Sequence, residues 1–387
     1  MRLINEGIPV RRVAHLTSVH RLQDVRINLH ECQSLVEAGF RVTLIGPHSA
    51  GGSLPAGIEY IVVRPSPRRL GRMTLTVARV YVAAVKTRAS VYHIHDPELL
   101  PLAPLLRLRG GRVVYDAHED LPRQLMSKEW IPKDLRPAIS VLVAAVLPWT
   151  ANITDAIVAA TDQVAQTFSR SQAVTLWNYP RLDEFEVADV QPFRDRDPFV
   201  VYVGGVTAVR GIHNMVRAMS LVNDDTVRLR IAGNAQPASY ANTLMATPGS
   251  ERLDLLGWMG RSAVIDLLGN ALAGLVVMPP APQHAAGLPT KMFEYMAAGL
   301  PVIVSDFPTW RRIIDESGAG IAVDPEKPEA IAEAIDWVAS HRDGAEAMGR
   351  RGQAAVSERY NWETESAKLL NLYDRLMNGE TQSRGGT

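Results

Sequence analysis

The chain has 387 residues, of which 47% are hydrophobic and 21% charged, and its formal net charge at pH 7 is zero. This length exceeds that of one ordinary domain, so we expect two domains of about 180 residues each. The balanced charge gives no indication of nucleic-acid binding. The single cysteine, Cys32, excludes an internal disulfide and favours a reducing compartment.

Two further features bear on the location of the protein. The N-terminal segment lacks the apolar core of a signal peptide. The longest apolar run, residues 138–149, is too short to span a bilayer and is predicted to form a buried helix. Together they predict a cytoplasmic protein.

Strand-type segments alternate with segments of helical periodicity along the first half of the chain. The helical segment at 25–40 stops near Gly39, a residue that commonly ends helices. Strands separated by helices predict an α/β fold with a parallel, doubly wound sheet. The predicted strands are 10–17, 41–47, 58–65, 91–96, 112–119, 156–161 and 173–180.

A polar, charged segment at 181–198 is typical of a linker, and the same alternation starts again after it. We therefore predict one Rossmann-like domain over 1–185 and a second over 186–360. Ligands of such folds bind at the carboxyl ends of the strands, so we expect a cleft where the two sheets face each other. The strands predicted in the second half are 199–205, 227–233, 251–258, 273–279, 301–306 and 320–324.

The segment PTKMFEYMAAGLPVIVSD, residues 289–306, is the most informative part of the sequence. It places Glu294 on a short helix that ends at Gly299, and a turn of small residues precedes the helix. The free N–H groups and positive dipole end of such a helix favour a phosphate or diphosphate. Glu294 is placed to accept hydrogen bonds from a vicinal diol such as a ribose. The alternative is a crossover helix with a solvated glutamate.

A second loop, VGGVTAVRGI at 203–212, follows the first predicted strand of the second domain. Gly204 and Gly205 allow a ligand to approach the backbone closely. Arg210 precedes the next helix and is placed to offer a forked donor to a diphosphate. The alternative is a plain strand-to-helix turn with a surface arginine.

These segments, with IAGN at 231–234 and LLGW at 255–258, resemble the retaining family 4 glycosyltransferases. In the first half, HLTSVH, YHIHDPELL and VVYDAHED follow in the order found in that family. The resemblance covers nearly the whole chain and implies two Rossmann-like domains around a nucleotide-sugar cleft, the type B fold. It also implies that the helix at 361–378 packs back on the first domain.

The resemblance implies particular roles for the 285–294 segment. Glu294 matches the acidic residue that holds the nucleotide ribose. Ala286 stands where the family commonly has a second acidic residue, which touches the donor sugar. Backbone N–H groups of Ala286, Gly287 and Leu288 are candidates for contacts with the sugar or phosphate.

The cationic positions of the family are only partly kept. Gly205 stands where the family has an arginine, and Arg210 stands where it has a lysine. Lys291, at the start of the helix that carries Glu294, is a candidate to replace the missing positive charge.

In the first domain, the family places a histidine near the 6-hydroxyl of the donor sugar and the reacting carbon. His118 in YDAHED matches it best, with Asp116 and Glu119 on either side. His95 and Asp96 lie at the end of the preceding strand, on the same edge.

The His-x-His-Asp run at 93–96 has a metal site as its alternative interpretation. A metal needs three converging ligands. On an extended strand, His93 and His95 share one face and Asp96 takes the other, so we predict no metal site. The Asp-x-Asp in RDRDP, before residue 199, is interpreted as a solvated turn, and His15 as the end of a strand.

The loop at 18–27 is expected to face the acceptor. His20, Arg21 and Asp96 are the acceptor candidates, whereas Asp24 is either a further candidate or a helix N-cap. Residues 61–112 hold ten Lys or Arg against two acids. They form either a membrane-surface patch, which favours a lipid-linked acceptor at the inner membrane face, or scattered solvated arginines.

The resemblance implies transfer of a hexosyl group from a nucleoside diphosphate sugar to a glycan, lipid-linked or small-molecule acceptor, with retention and without a metal. Arg210 and Lys291 would stabilise the departing diphosphate, and His118 would position the sugar. The pathway class is polysaccharide or glycoconjugate biosynthesis. The alternatives are a nucleotide-sugar epimerase of the same fold and a non-catalytic partner protein. A dehydrogenase is disfavoured because no GxGxxG follows the first strand.

Overall fold

The computed structural model describes residues 11–48, 54–118, 120–126, 131–168, 173–185, 191–281, 284 and 287–378. The chain divides into two compact units, and the first one uses both ends of the chain. Unit 1 comprises Met1–Asn178 and Glu363–Thr387, and unit 2 comprises Tyr179–Trp362.

Unit 1 is built on a parallel sheet of seven strands in the order β3-β2-β1-β4-β5-β6-β7. Its central strands are runs of apolar and β-branched residues that are buried along their length, as expected for a parallel sheet with helices on both faces. The order reverses between β1 and β4, which pair with His15 opposite His93. The strands are β1 Arg12–Leu16, β2 Arg41–Gly46, β3 Ile58–Val62, β4 Val91–Ile94, β5 Arg112–Ala117, β6 Ala156–Ala159 and β7 Ala173–Thr175.

The first helix of unit 1 begins as a π-helix, Val25–Cys32, that continues into Gln33–Glu37 and packs against β2. Gly39, in the left-handed region at φ 84°, follows its end as predicted. The other α-helices are Arg69–Gly71, Val77–Thr87, Ala103–Arg107, Leu121–Met126, Arg136–Val146, Thr150–Ile153, Asp162–Ala165 and the C-terminal Trp362–Met377. Shorter turns of π- or 3-10 type are Arg72–Thr76, Pro97–Leu102, Lys133–Leu135 and Leu147–Trp149.

Unit 2 has a parallel sheet of six strands in the order β10-β9-β8-β11-β12-β13, which reverses between β8 and β11. Its strands are β8 Phe199–Val203, β9 Arg228–Ala232, β10 Leu253–Gly257, β11 Ala273–Val276, β12 Val302–Ser305 and β13 Gly320–Val323. Its α-helices are Ile212–Met219, Tyr240–Met245, Arg261–Gly269, Thr290–Ala297, Pro308–Ser317, Pro328–Ser340 and Arg342–Glu358. Short 3-10 turns are Asp183–Phe185, Phe193–Asp195, Ala208–Arg210 and Ser250–Arg252.

The predicted fold class is confirmed, since each predicted strand has a counterpart in one of the two parallel sheets. The prediction of a buried helix at 138–149 is wrong in its burial. The helix Arg136–Val146 forms, but none of its described residues is buried, and Leu142 is 63% exposed. In the turn that follows, Leu147 is buried and Trp149 is 71% exposed. Among the described residues, the structure has no helix of the length and apolarity needed to cross a membrane.

Candidate functional site

Two glycines shape the carboxyl edge of the unit 2 sheet. Gly204 follows β8 with φ 137° and donates its N–H to the Ala232 carbonyl at 2.9 Å. Gly233 follows β9 with φ 153°, and a Cβ there would lie 1.9 Å from the Gly204 carbonyl oxygen. Side chains at these positions are therefore excluded, and the backbone of both loops remains open to a ligand.

Lys291 reaches this glycine edge from the first turn of the helix Thr290–Ala297. The ammonium nitrogen of Lys291 lies over the Tyr202 ring. A Cβ on Gly204 would lie 2.8 Å from this nitrogen. Burial, together with the nearby guanidinium of Arg210, lowers the pKa of Lys291 to about 7. The structure thus brings three of the predicted residues together at one edge of one sheet.

Arg210 ends the 3-10 turn Ala208–Arg210 and is exposed. One guanidinium nitrogen lies 3.4 Å from the sulfur of Met278, which follows β11. Gly211, with φ 73°, turns the chain into the next helix, and a Cβ there would lie 2.3 Å from the Val277 carbonyl oxygen. This tight turn holds Arg210 at the same sheet edge as Lys291.

Glu294 lies one turn into the helix that begins at Thr290, and Gly299 follows that helix with φ 71° as predicted. The Glu294 carboxylate accepts a hydrogen bond from Arg261 Nη1 at 2.6 Å. The same guanidinium donates to Glu184 at 2.6 Å through Nη2. Arg261 therefore holds Glu294 in place.

Sequence reasoning missed Arg261 and Glu184. Glu184 lies in the segment 181–198, which is interpreted from the sequence as a linker. The available signal was the position of Arg261, which is the first residue of the helix that follows β10 at the same sheet edge.

The turn before Thr290 is only partly described. Ala286 lies outside the described residues. The carbonyl of Gly287 accepts a hydrogen bond from Trp310 Nε1 at 2.7 Å, and Trp310 is fully buried. Gly287 is thus anchored, and Leu288 follows it towards the helix N-terminus, where the resemblance implies contacts with the sugar or phosphate.

In unit 1, His118 follows β5 at the carboxyl edge of the sheet. Its Nε2 lies 3.1 Å from Oδ2 of Asp116, whose carboxylate is fully buried and contacts Arg26 through both oxygens at 3.1 Å. The His20 ring stacks on the His118 ring with centroids 4.8 Å apart. Burial lowers the pKa of His118 to about 3 despite the nearby Asp116, so this ring is neutral at pH 7. The neighbouring Glu119 lies outside the described residues.

The structure gives the acceptor candidates of unit 1 two different environments. Asp96 is buried and accepts hydrogen bonds from Thr17 Oγ1 and the Ser18 N–H, both at 2.6 Å. Its other oxygen lies 2.8 Å from Nδ1 of His20, which is 32% exposed. Asp96 thus holds the loop, whereas His20 and the exposed Arg21 are open to a ligand.

Asp24, which sequence reasoning left between two roles, is the N-cap of the helix that starts at Val25. Its carboxylate accepts the Ile27 N–H at 3.1 Å. This contact satisfies one of the free N–H groups at the helix start.

A buried histidine cluster below His118 was not predicted. His15, His93 and His95 are fully buried and surround the Glu31 carboxylate, with nitrogen-to-oxygen distances of 3.7 to 4.0 Å. Burial and the neighbouring Asp116 raise the pKa of Glu31, which favours its neutral acid. His15 was interpreted only as a strand end, because the contacts that define the cluster join distant parts of the chain.

This cluster is relevant to the alternative interpretation of the His-x-His-Asp run as a metal site. Among the described residues, His15, Glu31, His93 and His95 offer ligand atoms within 4.8 Å of one another. However, Nδ1 of His15 and Nε2 of His95 lie 2.9 Å apart in hydrogen-bond geometry. Two nitrogens that share a proton in this way do not direct both lone pairs at a common ion, so the geometry favours a hydrogen-bonded cluster.

Both halves of the chain match families of known proteins. Residues 183–355 match the family described as Glycosyl transferases group 1, and residues 25–175 match Glycosyltransferase Family 4. An uncharacterized glycosyltransferase of Methanocaldococcus jannaschii is 29% identical over 186 residues, which cover 48% of this chain and 46% of that protein. This chain therefore spans about half the length of that relative.

A longer match joins the chain to the phosphatidyl-myo-inositol mannosyltransferase of Mycobacterium leprae. The identity is 25% over 359 residues, covering 87% of this chain and 89% of the relative. Among solved structures, sucrose-phosphate synthase of Thermosynechococcus elongatus has a TM-score of 0.75 at 18% identity and covers 95% of this chain and 100% of its own. Residues 25–175 and 183–355, each matched by one of these families, thus carry the two Rossmann-like domains of a glycosyltransferase.

Proposed function

We propose that this protein transfers a hexosyl group from a nucleoside diphosphate sugar to an acceptor hydroxyl, with retention at the anomeric carbon. The proposal rests on the convergence of Lys291, Arg210 and Gly204 near the N-terminus of the helix Thr290–Ala297 in unit 2. Two cations, open backbone and a helix dipole at one place form a site for a diphosphate.

In the proposed reaction, the bond between the anomeric carbon and the diphosphate oxygen breaks as the acceptor oxygen bonds to that carbon on the same face. The acceptor proton passes to the departing diphosphate. Lys291 and Arg210 stabilise the negative charge that develops on this leaving group. No step requires a metal ion, so we expect the activity to survive EDTA, and its complete loss would contradict this part of the proposal.

Glu294 and His118 hold the donor in this scheme. The Glu294 carboxylate accepts hydrogen bonds from the ribose hydroxyls while Arg261 keeps its orientation. His118 accepts a hydrogen bond from a hydroxyl of the transferred sugar. The names of similar proteins guide the choice of donor, since a mannosyltransferase of Mycobacterium tuberculosis is described as GDP-mannose-dependent and HepE of Anabaena was solved with UDP-glucose.

Contact of unit 1 with the cytoplasmic face of a membrane is part of the proposal, together with a glycan or lipid-linked acceptor. Exposed apolar side chains lie beside arginines of the basic 61–112 region, as in peripheral proteins that bind anionic lipid. Further exposed apolar residues lie on and after the helix Arg136–Val146. These exposed residues are Leu70, Met73, Leu75, Val141, Leu142, Val146 and Trp149.

Co-sedimentation with vesicles tests the membrane contact. We expect binding to vesicles that contain phosphatidylserine and weaker binding to phosphatidylcholine alone. The variant Leu70→Asp/Met73→Asp should lose this binding, whereas Leu221→Asp, at an exposed apolar position of unit 2, should keep it. Failure of the wild type to bind vesicles that contain phosphatidylserine would favour solvated arginines.

Thermal unfolding with UDP, GDP, ADP and TDP tests the nucleotide site. A nucleotide at 100 times its dissociation constant stabilises the folded protein by about 2.7 kcal/mol. We expect one nucleotide to stabilise the wild type and to have little effect on Glu294→Ala. The matched control is Glu251→Ala, because exposed Glu251 precedes β10 and so lies at the opposite edge of the sheet.

Two outcomes would replace the proposal. Stabilisation by no nucleotide would favour the non-catalytic partner protein, which is motivated by Gly205 and Ala286 at positions where the family has charged residues. Conversion of the donor sugar into an isomer without any acceptor would favour the epimerase. Product analysis with the donor alone, and then with donor and acceptor, separates the epimerase from the transferase.

A further inference from the structure

Unit 1 contains a fully buried carboxyl, that of Glu31, which has no part in the proposed reaction. Glu31 lies on the first helix of the unit, and none of its side chain is exposed. Nitrogens of His15, His93 and His95 surround its Oε2, but at 3.7 to 4.0 Å they lie beyond hydrogen-bonding distance. Neither oxygen of Glu31 accepts a hydrogen bond from an N–H or O–H group of the described residues.

The guanidinium of Arg26 faces two buried carboxyls, those of Glu31 and Asp116. Its Nε lies 3.2 Å from Oε1 of Glu31. However, Nε and Nη2 of Arg26 donate hydrogen bonds to the two oxygens of Asp116, both at 3.1 Å. Nη1 donates to the Leu176 carbonyl at 2.8 Å. Asp116 thus accepts two charge-assisted hydrogen bonds from Arg26, whereas Glu31 accepts none.

The single charge of Arg26 cannot neutralise two buried carboxylates. An ionised carboxylate that lacks hydrogen-bond donors is costly in a protein interior, and its neutral acid is favoured there. Burial and the negative charge of Asp116 raise the pKa of Glu31, against the opposing effect of Arg26. Burial also opposes the charge of Asp116, but Arg26 holds the pKa of Asp116 below its usual range. The proton is therefore expected on Glu31.

Other ionisable groups face Glu31 from each element packed around it. Burial lowers the pKa of His15 and of His93 well below the usual range, so these two rings supply no positive charge. Burial raises the pKa of the Cys32 thiol and of the Tyr373 hydroxyl, so both groups are neutral at pH 7. The groups that interact with Glu31 are those of Asp24, Arg26, Cys32, His15, His93, His95, Asp116 and Tyr373.

We propose that Glu31 is a neutral carboxylic acid in the folded protein at pH 7, which leaves the guanidinium of Arg26 to Asp116 alone. Asp116 then keeps its negative charge 3.1 Å from Nε2 of His118. Glu31 is thus a positioning residue, and this role rests on the proposed function, which assigns His118 to the sugar site. The alternative places the proton on His95 as an imidazolium and leaves both carboxyls ionised.

Infrared spectroscopy of the wild type tests the state of Glu31 directly. Exposed carboxyls are ionised at pH 7, so the C=O stretching band of a protonated carboxyl reports a buried acid. Labelling of the glutamates with 13C should shift this band, and Glu31→Gln should remove it. The matched control is Glu37→Gln, at an exposed glutamate where the same helix ends, and it should leave the band unchanged. A wild type without this band at pH 7 would overturn the proposal, and no variant is needed for that result.

The pH dependence of stability gives a second test, because the folded protein holds a proton on Glu31 that the unfolded chain releases. A glutamate of the unfolded chain has a pKa of about 4.3. The stabilisation due to the raised pKa is complete below that value and is lost as the pH rises towards the folded pKa. Between about pH 5 and pH 8, the ratio of folded to unfolded wild type should therefore fall by up to tenfold per pH unit relative to Glu31→Gln. An ionised Glu31 would instead make Glu31→Gln less stable than the wild type at pH 7, and that result would overturn the proposal.

Kinetics test the positioning role and separate it from the proposed function. Glu31→Gln should leave kcat nearly unchanged, because the carboxamide replaces one neutral group by another. Asp116→Asn should lower kcat about 100-fold, the scale of a misplaced group in an active site. Both variants should keep the wild-type dissociation constant for the nucleoside diphosphate, because those contacts lie in unit 2. A kcat of Glu31→Gln as low as that of Asp116→Asn would contradict the neutral acid. If the wild type bound no nucleotide, the proposed function would fail while the infrared band still decided the state of Glu31.

Discussion

The ammonium nitrogen of Lys291 lies 3.8 Å from the centroid of the Tyr202 ring. The ring face attracts the charged form of the lysine, whereas burial and the nearby Arg210 disfavour it and lower the pKa of Lys291 to about 7. The side chain is therefore close to the midpoint of its titration at physiological pH. A bound diphosphate would add negative charge beside it and shift that balance towards the ammonium.

Nucleotide binding should consequently take up a proton above pH 7. The diphosphate binds the ammonium form, so its dissociation constant should increase as the pH rises from 7 to 9, by up to tenfold per pH unit. Calorimetry in two buffers of different ionisation enthalpy measures the proton uptake. Lys291→Arg, which stays charged, should bind without this pH dependence. A wild-type affinity that is constant from pH 7 to pH 9 would contradict the assignment.

Replacement of Arg261 should weaken the nucleotide site through Glu294. In Arg261→Met, Glu294 loses a donor at 2.6 Å, and we expect nucleotide affinity to fall about tenfold, as for a lost charge-assisted hydrogen bond. Glu184→Gln is the comparison, because it leaves the contact of Arg261 with Glu294 intact. If calorimetry gave equal nucleotide affinities for the wild type and Arg261→Met, the orientation of Glu294 would not depend on Arg261.

A methyl group at Gly233 should destabilise unit 2, whereas one at Gly205 should not. The Cβ of Gly233→Ala would lie 1.9 Å from the Gly204 carbonyl oxygen, and its backbone is in a region that favours glycine. We expect a loss of about 1–3 kcal/mol in the free energy of unfolding. A Cβ at Gly205 meets no described atom within 4 Å. Denaturant unfolding of both variants compares the two positions.

The ion pair of His20 with Asp96 should stabilise unit 1 in a pH window that the histidine sets. Burial opposes the charge, but Asp96 raises the pKa of His20 from 6.5 to about 9. Because the folded state binds the proton more tightly, the stabilisation is complete below about pH 6.5 and is lost as the pH rises through 9. His20→Gln should be less stable than the wild type at pH 6, by about 1 kcal/mol for this partly exposed pair, and equally stable at pH 10. A difference that persists at pH 10 would locate the effect in packing.

The parts of the molecule that could be predicted from sequence are those whose signals are local. Strand and helix periodicity locates the sheets, and Lys291 and Glu294 lie on one short helix whose geometry follows from the spacing. The position of Arg210 follows from the rule that the carboxyl ends of parallel strands share one edge.

The histidine cluster could not be predicted in this way. His15 and Tyr373 are 358 positions apart, and their contact depends on the packing of the last helix against the first sheet. The exposure of Leu142 could not be predicted from the sequence either. An apolar run indicates that a segment tends to be buried, but it does not identify the residues that would cover it. The role of Arg261 could not be predicted for the same reason, since its partners Glu294 and Glu184 come from two other elements.

The last helix has a consequence for the synthesis of the protein. Its Glu365 carboxylate accepts the N–H of Trp177 at 3.0 Å, and its Tyr373 hydroxyl contacts His93, so unit 1 receives part of its interior from residues that follow unit 2 in the chain. A ribosome delivers these residues only after the whole of unit 2 has emerged. The first domain to be translated is therefore the second to be completed, and the contact of Tyr373 with His93 forms only when translation has reached the final helix.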